Sequence, residues 1–332
     1  MLAIGMKSFG EAEVLELVEK PDPILKKGHV RVRVLATALN RADLLQRRGF
    51  YPPPQGESDI LGLEMAGEVI ELGEGVNEWS LGDRVCALLP GGGYAEQVVV
   101  PAGMLAKVPN HLSAVEAAAI PEVFLTAYSN LVWLGGIKSH DEVLIHAGAS
   151  GVGTSAIQLV KALGGRSYVT VGSKEKLDFC LQLGAKDGVN YKESSFLEYV
   201  AKWTSGNGVN IIMDFIGAPY LEDNLKSLAI EGRLIVIGTM GGADAIHLPM
   251  GLLLGRRLQI LGTALRSRSL TQKMALTKEF WQFATPLFEK GELKPVIDKV
   301  FPIHEVAAAH RYMESNQNIG KIVLNVAQSI NE

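Results

Sequence analysis

The stretch EVLIHAGASGVG, residues 142–153, decides the fold of this 332-residue chain. A short apolar run, 142–146, leads into a turn of small residues, and a helix is predicted over about 151–163. Glycines in such a turn let backbone N–H groups approach a pyrophosphate, and a helix N-terminus favours the anion. The stretch therefore predicts a dinucleotide-binding turn, although Ser150 replaces the middle glycine of the G-x-G-x-x-G fingerprint. The residues predicted to bind cofactor here are Gly148, Ser150, Gly151, Val152 and Gly153.

Outward from this turn, strand-like and helix-like runs alternate as far as residue 261. Predicted strands cover 167–171, 188–191, 211–215, 234–237 and 258–261, and predicted helices cover 174–183, 196–203 and 221–229. Alternation of this kind implies parallel strands joined by crossover helices. We therefore predict an α/β fold whose central part is a Rossmann-type, doubly wound parallel sheet.

The first third of the chain has a different texture. Val30, Val32 and Val34 alternate with Arg31, Arg33 and Leu35, a period-2 signal for a half-buried strand. Further short strands are predicted at 68–72, 84–88 and 94–100, separated by glycine and proline turns, with a short helix over 40–48. Such punctuation is typical of a barrel-like β unit. A last helix over about 272–289 and a strand at 321–326 complete the chain.

The end of the second predicted strand bears on the choice between NADH and NADPH. An acidic residue is expected there if the ribose 2′-hydroxyl of NADH is bound, but the sequence reads Val171-Gly172-Ser173-Lys174. Ser173 can donate a hydrogen bond, and Lys174 or Lys176 can pair with a 2′-phosphate. These residues favour NADPH as the cofactor.

Composition excludes several classes of protein. The chain has 32 Lys and Arg against 36 Asp and Glu, so its net charge of −4 gives no support to nucleic-acid binding. Its two cysteines cannot form a disulfide framework or a four-cysteine zinc site. Met1–Gly10 lacks the apolar core of a secretory signal, and 234–255 is too interrupted by polar residues and glycines to read as a membrane span. A cytoplasmic protein without membrane association is expected.

The segment GLEMAGEV, residues 62–69, resembles the G-H-E-x-x-G-x-V segment of the medium-chain dehydrogenase/reductase superfamily. The histidine of that segment is a metal ligand in the zinc alcohol dehydrogenases, and here it is Leu63. Their first cysteine ligand falls in LNRAD, residues 39–43, which contains no cysteine. With residues 141–153, Gln158 and Lys161, the chain is similar to the zinc-lacking quinone oxidoreductases of this superfamily over nearly its whole length. No metal site is expected.

The resemblance implies a GroES-like β-barrel catalytic domain, 1–121 completed by 264–332, and an NADPH-binding Rossmann domain, 122–263. It also implies a homodimer or homotetramer, and the strand at 257–261 is predicted to lie at a sheet edge that a second copy covers. The residues that it assigns to the cofactor, beyond those of the glycine turn, are Gly172, Ser173, Lys176, Tyr191, Gly217, Gly238, Gly241, Leu261 and Thr263.

Few side chains are candidates for the chemistry. Asn40 either hydrogen-bonds the substrate or cofactor or caps a helix, and Tyr51 either donates a hydrogen bond or proton or only packs. We name these two as candidate catalytic residues. Leu265 and Arg266 follow the last sheet strand and are candidates for the substrate cleft, although Arg266 could merely pair with surface acids.

Without a Lewis acid to stabilise an oxyanion, a simple ketone is a poor hydride acceptor. A quinone is already electrophilic, and its reduced form is aromatic. The sequence therefore predicts an NADPH-dependent reductase of small-molecule quinones. Two alternatives stay open: a reductase of enone, enal or enoyl-thioester double bonds, and a non-catalytic NADPH-binding protein.

Overall fold

A computed structural model of the chain describes residues 1–245 and 247–327. In chain order, the described strands are β1 Leu2–Met6, β2 Leu15–Glu19, β3 His29–Ala38, β4 Glu64–Leu72, β5 Arg84–Leu88, β6 Gln97–Pro101, β7 Leu105–Lys107, β8 Glu142–Ile145, β9 Arg166–Val171, β10 Asp187–Asn190, β11 Val209–Asp214, β12 Leu228–Val236, β13 Gln259–Gly262, β14 Ile297–Pro302 and β15 Lys321–Asn325.

The described helices are α1 Arg41–Arg47, α2 Ala114–Ala118, α3 Pro121–Tyr128, α4 Gly151–Ala162, α5 Lys174–Leu183, α6 Phe196–Trp203, α7 Leu221–Ser227, α8 Met250–Gly255, α9 Leu270–Glu289 and α10 Val306–Glu314. A π-helical segment, Ser129–Leu134, continues α3. Within the described ranges, no helix combines the length and the apolar character needed to cross a bilayer.

The chain divides into two compact units. The first unit consists of Met1–Leu125 and the described part of Arg266–Glu332, and the second unit is the continuous segment Thr126–Leu265. The resemblance implies domain limits at 121/122 and 263/264, a few residues from this division, and those limits stay a prediction.

The second unit is built on a six-stranded parallel sheet in the order β10-β9-β8-β11-β12-β13. Counted from β8, this is the order 3-2-1-4-5-6 of the Rossmann fold, which confirms the predicted doubly wound sheet. Its strands are apolar because helices cover both faces, and Leu144, Val209, Ile212 and Leu234 are fully buried in one core. β13 is the last strand on one side, as the sequence predicted.

The first unit contains a seven-stranded sheet, β14-β15-β3-β4-β5-β7, with β6 also paired to β3. All pairs are antiparallel except β14 with β15. The predicted alternation along β3 is confirmed, because Val30, Val32 and Val34 are fully buried while the arginines between them are not. β3 therefore joins the C-terminal strand β15 to the N-terminal strands.

Candidate functional site

The glycine turn of the second unit connects β8 to α4. Ser150 caps the helix, and its Oγ accepts a hydrogen bond from Gly153 N at 3.1 Å. A Cβ on Gly148 would lie 2.6 Å from the Val169 side chain, and one on Gly153 would lie 2.5 Å from the carbonyl oxygen of Ala147. Only glycine fits these two places, because a side chain would collide with the neighbouring strand or with the turn itself.

This turn fits the pyrophosphate of a dinucleotide. Gly148 N donates to Thr170 O at 3.0 Å, whereas within the described chain the N–H groups of Gly151 and Val152 have no acceptor. These two groups belong to the first turn of α4, where N–H groups lack partners within the helix and the helix dipole favours an anion. Cofactor binding is therefore supported by two backbone N–H groups without acceptors among the described residues, those of Gly151 and Val152, in a turn whose shape requires Gly148 and Gly153.

The segment after β9 forms the next part of this edge. Ser173 caps α5 and accepts a hydrogen bond from Lys176 N at 3.3 Å. Lys174 is paired with Asp178 at 2.8 Å. Tyr191 follows β10, and a Cβ on Gly172 would lie 2.9 Å from its hydroxyl oxygen, so glycine is what allows the ring to lie there. Lys174 is therefore engaged by a carboxylate of its own helix.

The loop after β11 is organised by a buried aspartate, Asp214, that no sequence motif indicated. Asp214 accepts hydrogen bonds from Ile216 N at 2.7 Å and from Gly217 N at 3.2 Å. Gly217 has a left-handed backbone, φ +86°, and forms a β-bridge with Gly242. Burial raises the pKa of Asp214 to about 6. Asp214 thus organises the loop that contains Gly217.

All of the predicted cofactor residues lie at or just beyond the C-terminal ends of the parallel strands. Gly238 and Gly241 are in the loop after β12, where their N–H groups donate to Asp214 O and Ile216 O. Leu261 is in β13, and Thr263 follows it. Ligands of doubly wound sheets bind at this end of the strands, outside a switch in strand order, and here the switch lies between β8 and β11.

In the first unit, Asn40 belongs to a buried polar network. Its Nδ2 donates to Glu64 Oε1 at 2.9 Å, and its Oδ1 accepts from Lys321 Nζ at 2.7 Å. The same ammonium pairs with Glu64 Oε1 at 2.8 Å. Glu64 Oε2 accepts from Glu122 N at 2.8 Å. These bonds fix the orientation of the Asn40 amide. Its catalytic role stays a prediction.

Asp43 provides the second half of the capping arrangement around α1. Its carboxylate accepts from Asn40 N at 2.8 Å and from Gly62 N at 3.0 Å, and the Tyr94 hydroxyl donates to it at 3.3 Å. Burial raises the pKa of Asp43 to about 6 in spite of these donors. The helix-cap interpretation of Asn40 is therefore supported by its backbone N–H group, while its side chain faces the Glu64–Lys321 pair.

The structure brings Tyr51 and Arg266 together in the first unit. The Arg266 guanidinium carbon lies 5.1 Å from the centroid of the Tyr51 ring, and Arg266 Nη1 donates to Tyr51 O at 3.4 Å. Partial burial raises the pKa of Tyr51, so the phenol is protonated at neutral pH. Arg266 is 8% exposed. Leu265, the other cleft candidate, is the last residue of the second unit and is half-buried.

Models of two families match the chain. The alcohol dehydrogenase GroES-like domain matches residues 26–110, and the zinc-binding dehydrogenase family matches residues 151–279. The chain is 35% identical to a 2-haloacrylate reductase of Burkholderia sp, over 90% of each chain. It is 30% identical to a quinone oxidoreductase of Homo sapiens, over 98% of this chain and 97% of that protein. It also matches a mycocerosic acid synthase-like polyketide synthase of Mycobacterium tuberculosis at 30% identity, but spans only 15% of that protein.

Solved structures are similar over 98% of the chain. The Escherichia coli quinone oxidoreductase complexed with NADPH has a TM-score of 0.88 at 29% identity and is covered completely. The CurK enoyl reductase has a TM-score of 0.87 at 28% identity, with 98% of it covered. A structure described as an NAD-dependent alcohol dehydrogenase has a TM-score of 0.86 at 34% identity and is also covered completely.

The name of one of these family models raises the question of zinc, and the residues present do not fit a catalytic zinc ion. Such an ion needs three protein ligands. Leu63 is buried where the resembled segment has its histidine, and the described residues include no group of three or more His, Cys, Asp and Glu that could hold a metal. At the residue after Leu63, the Glu64 carboxylate pairs with the Lys321 ammonium, which also donates to Asn40.

Proposed function

The chain belongs to the medium-chain dehydrogenase/reductase superfamily, and from that premise we propose that it reduces quinones with NADPH and without a metal ion. The observation that carries the proposal is the chemistry of residues 63 and 64. The buried Leu63 cannot bind a metal ion, and the Glu64 carboxylate is neutralised by the Lys321 ammonium. Without a Lewis acid, the substrate must itself be a good hydride acceptor. A quinone meets that requirement.

When bound, NADPH would supply a hydride to the substrate. Quinone, NADPH and one proton become hydroquinone and NADP⁺, so the quinone gains two electrons and two protons in total. Tyr51 is the proposed hydrogen-bond donor to the substrate oxygen, because its phenol is protonated and its ring is held against Arg266. Arg266 places positive charge near the oxygen on which negative charge develops. Asn40, held by Glu64 and Lys321, is the proposed fixed amide of the site.

The cofactor is proposed to be NADPH. Ser173 and Lys176 stand at the end of β9, where an NADH-binding site has an acidic residue. Among the similar structures, one is described with NADPH and another as NAD-dependent, so the choice rests on these side chains. A 2′-phosphate held by Ser173 and the Lys176 ammonium is the interaction that would select NADPH.

The cofactor proposal is tested by titrating NADPH and NADH into the wild type and two lysine variants. We expect the wild type to bind NADPH more tightly than NADH, and Lys176→Ala to lose about 10- to 100-fold of the NADPH affinity. Lys174→Ala is the matched control, because Lys174 is paired with Asp178. Its NADPH affinity should stay within about twofold. Equal binding of NADH and NADPH by the wild type would refute the assignment.

A second candidate function is the reduction of an activated carbon–carbon double bond. It is favoured by the nearly buried positive charge of Arg266, which suits an enolate oxygen as well as a quinone oxygen, and by the relatives described as a 2-haloacrylate reductase and an enoyl reductase. Hydride would add to the β-carbon and a proton to the α-carbon. NADPH oxidation with ortho- and para-quinones, compared with enals and enones, separates the two functions. Turnover of enals with none of any quinone would overturn the first proposal.

The enzyme is further proposed to work as a homodimer through the β13 edge. β13 has a neighbour on one side only, and Met250, Leu254 and Ile260 expose apolar side chains in the same part of the second unit. Light scattering after gel filtration should give the mass of a dimer for the wild type and a shift to monomer for Leu254→Glu. Leu81→Glu, which changes an exposed leucine of the first unit, should leave the dimer intact. A monomeric wild type at micromolar concentration would refute the proposal.

A further inference from the structure

Arg266 differs from the other strongly buried cations of the described chain. Arg47 and Lys321 are also nearly inaccessible, and each has a carboxylate partner: Glu314 for Arg47 and Glu64 for Lys321. In the described residues, no carboxylate lies within ion-pair distance of the Arg266 guanidinium. Burying a charge without a counter-ion is costly, so a protein retains one where a bound anion compensates it.

The guanidinium of Arg266 is held by neutral oxygen atoms. Its Nε donates to Pro90 O at 2.8 Å, its Nη2 to Gln46 Oε1 at 2.8 Å, and its Nη1 to Tyr51 O at 3.4 Å. A guanidinium has five N–H groups, so one on Nη1 and one on Nη2 remain. A carboxylate is the acceptor that such guanidinium N–H groups bind most strongly, with charge-assisted hydrogen bonds.

Arg266 also lines a cavity of 570 Å³ within the first unit. Lys273 and Arg268 line the same cavity, and among the described residues that line it the one acid is Glu57, which is exposed. Burial lowers the pKa of Lys273. Apolar walls are contributed by residues such as Val98 and Met104. The volume is that of a small-molecule site, and the lining is apolar with excess positive charge.

We propose that the physiological substrate carries a carboxylate, which binds the Arg266 guanidinium in this cavity while the electrophilic part of the molecule is reduced. The inference rests on the proposed reductase function and deepens it, because it names a substrate class: quinones or enones with an acidic side chain. Gln46, Pro90 and Tyr51 are positioning residues for the guanidinium, and Arg266 determines specificity.

Matched acid and ester pairs test the proposal. 4-Oxopent-2-enoate and its methyl ester share one enone, and 1,4-benzoquinone-2-acetate and its methyl ester share one quinone. We expect kcat/KM of the wild type to be about 10- to 100-fold higher for the acid of the productive pair. Arg266→Gln should slow both members of the pair, because the charge near the reacting oxygen is lost, but the acid should lose about 10- to 100-fold more kcat/KM than its ester, and this additional loss should fall mainly on KM.

Two further variants separate charge from geometry. Arg266→Lys keeps the charge but loses the bidentate fork, so it should recover only part of the preference for the acid. Arg166→Gln removes an arginine at the start of β9 that pairs with Glu142, and it should leave both substrates unaffected. A wild type that prefers the esters, or an Arg266→Gln variant that loses acid and ester equally, would overturn the inference.

A binding measurement on the wild type alone depends neither on the folding of a variant nor on the reductase activity. Levulinate, the saturated acid that the enone would give, should bind the wild type more tightly than methyl levulinate by calorimetry. If neither quinones nor enones are reduced while levulinate binds, the proposed function fails and the anion site stands. If the esters are reduced and levulinate does not bind, the function stands and the anion site fails.

Discussion

Replacing Lys321 by methionine is the sharpest perturbation of the first unit. The Lys321 ammonium is 3% exposed and donates to Leu39 O at 2.6 Å, to Asn40 Oδ1 at 2.7 Å and to Glu64 Oε1 at 2.8 Å. All three of its N–H groups are therefore used. Methionine has a similar shape but leaves the fully buried Glu64 carboxylate with donors from Asn40 and Glu122 only.

Breaking a buried pair from one side costs about 3–5 kcal/mol, because it leaves an uncompensated charge. For a unit of this size, that corresponds to a fall in Tm on the order of 10 °C. Thermal unfolding followed by circular dichroism measures it. The double variant Glu64→Gln with Lys321→Met removes both charges and should regain most of the loss. Lys107→Met is the surface control, because its pair with Asp83 is exposed and should cost at most about 1 kcal/mol. The reasoning is refuted if Lys321→Met is as stable as the wild type, or if adding Glu64→Gln to it lowers stability further.

Three other predictions concern protonation, the substrate donor and the cofactor cradle. The pKa of Asp43, raised by burial to about 6, exceeds its unfolded value of about 3.9, so its contribution to stability is full below about pH 4 and lost as pH rises through 6. The advantage of wild type over Asp43→Asn in urea titrations should therefore shrink by about 2–3 kcal/mol from pH 4 to pH 7, and a constant difference would contradict this. Tyr51→Phe keeps the ring beside Arg266 and loses the hydroxyl, so kcat should fall by about 100-fold with NADPH affinity unchanged; an unaltered kcat would remove Tyr51 from the chemistry. Gly153→Ala places a Cβ 2.5 Å from Ala147 O and should weaken NADPH binding at least about 10-fold, whereas Gly251→Ala, which meets nothing within 4 Å, should bind normally; equal binding by both variants would show that the cradle is not needed.

The second unit was predictable because its signals are local. The glycine turn, the caps of α4 and α5 and the apolar strands are each readable within about ten residues. β12 was predicted too short because Glu231, Gly232 and Arg233 interrupt its apolar run. The strand is irregular at the same place, where Glu231 has a left-handed φ of +63°. α8 was missed because its six residues, MGLLLG, contain no polar positions that would mark an amphipathic helix.

The candidate site of the first unit could be predicted only in part. Asn40, Tyr51 and Arg266 were named from short segments, but their partners come from distant positions: Lys321 is 281 residues from Asn40, and Gln46 is 220 residues from Arg266. The pairing of Asn40 with Lys321 follows from the antiparallel contact of β3 with β15, and neither pairing follows from a local pattern. The missing counter-ion of Arg266 is likewise invisible in sequence, since it depends on which carboxylates the fold brings near.

The discontinuity of the first unit has a consequence for how the protein is made. When Glu64 and β3 have emerged from a ribosome, the strand that carries Lys321 has not yet been synthesised, so the sheet lacks β15 and the carboxylate lacks its ammonium. The second unit, by contrast, is continuous from Thr126 to Leu265 and can form its own core as soon as that segment is free. During translation, the second unit should therefore fold before the first unit, whose sheet stays incomplete until β15 has been synthesised.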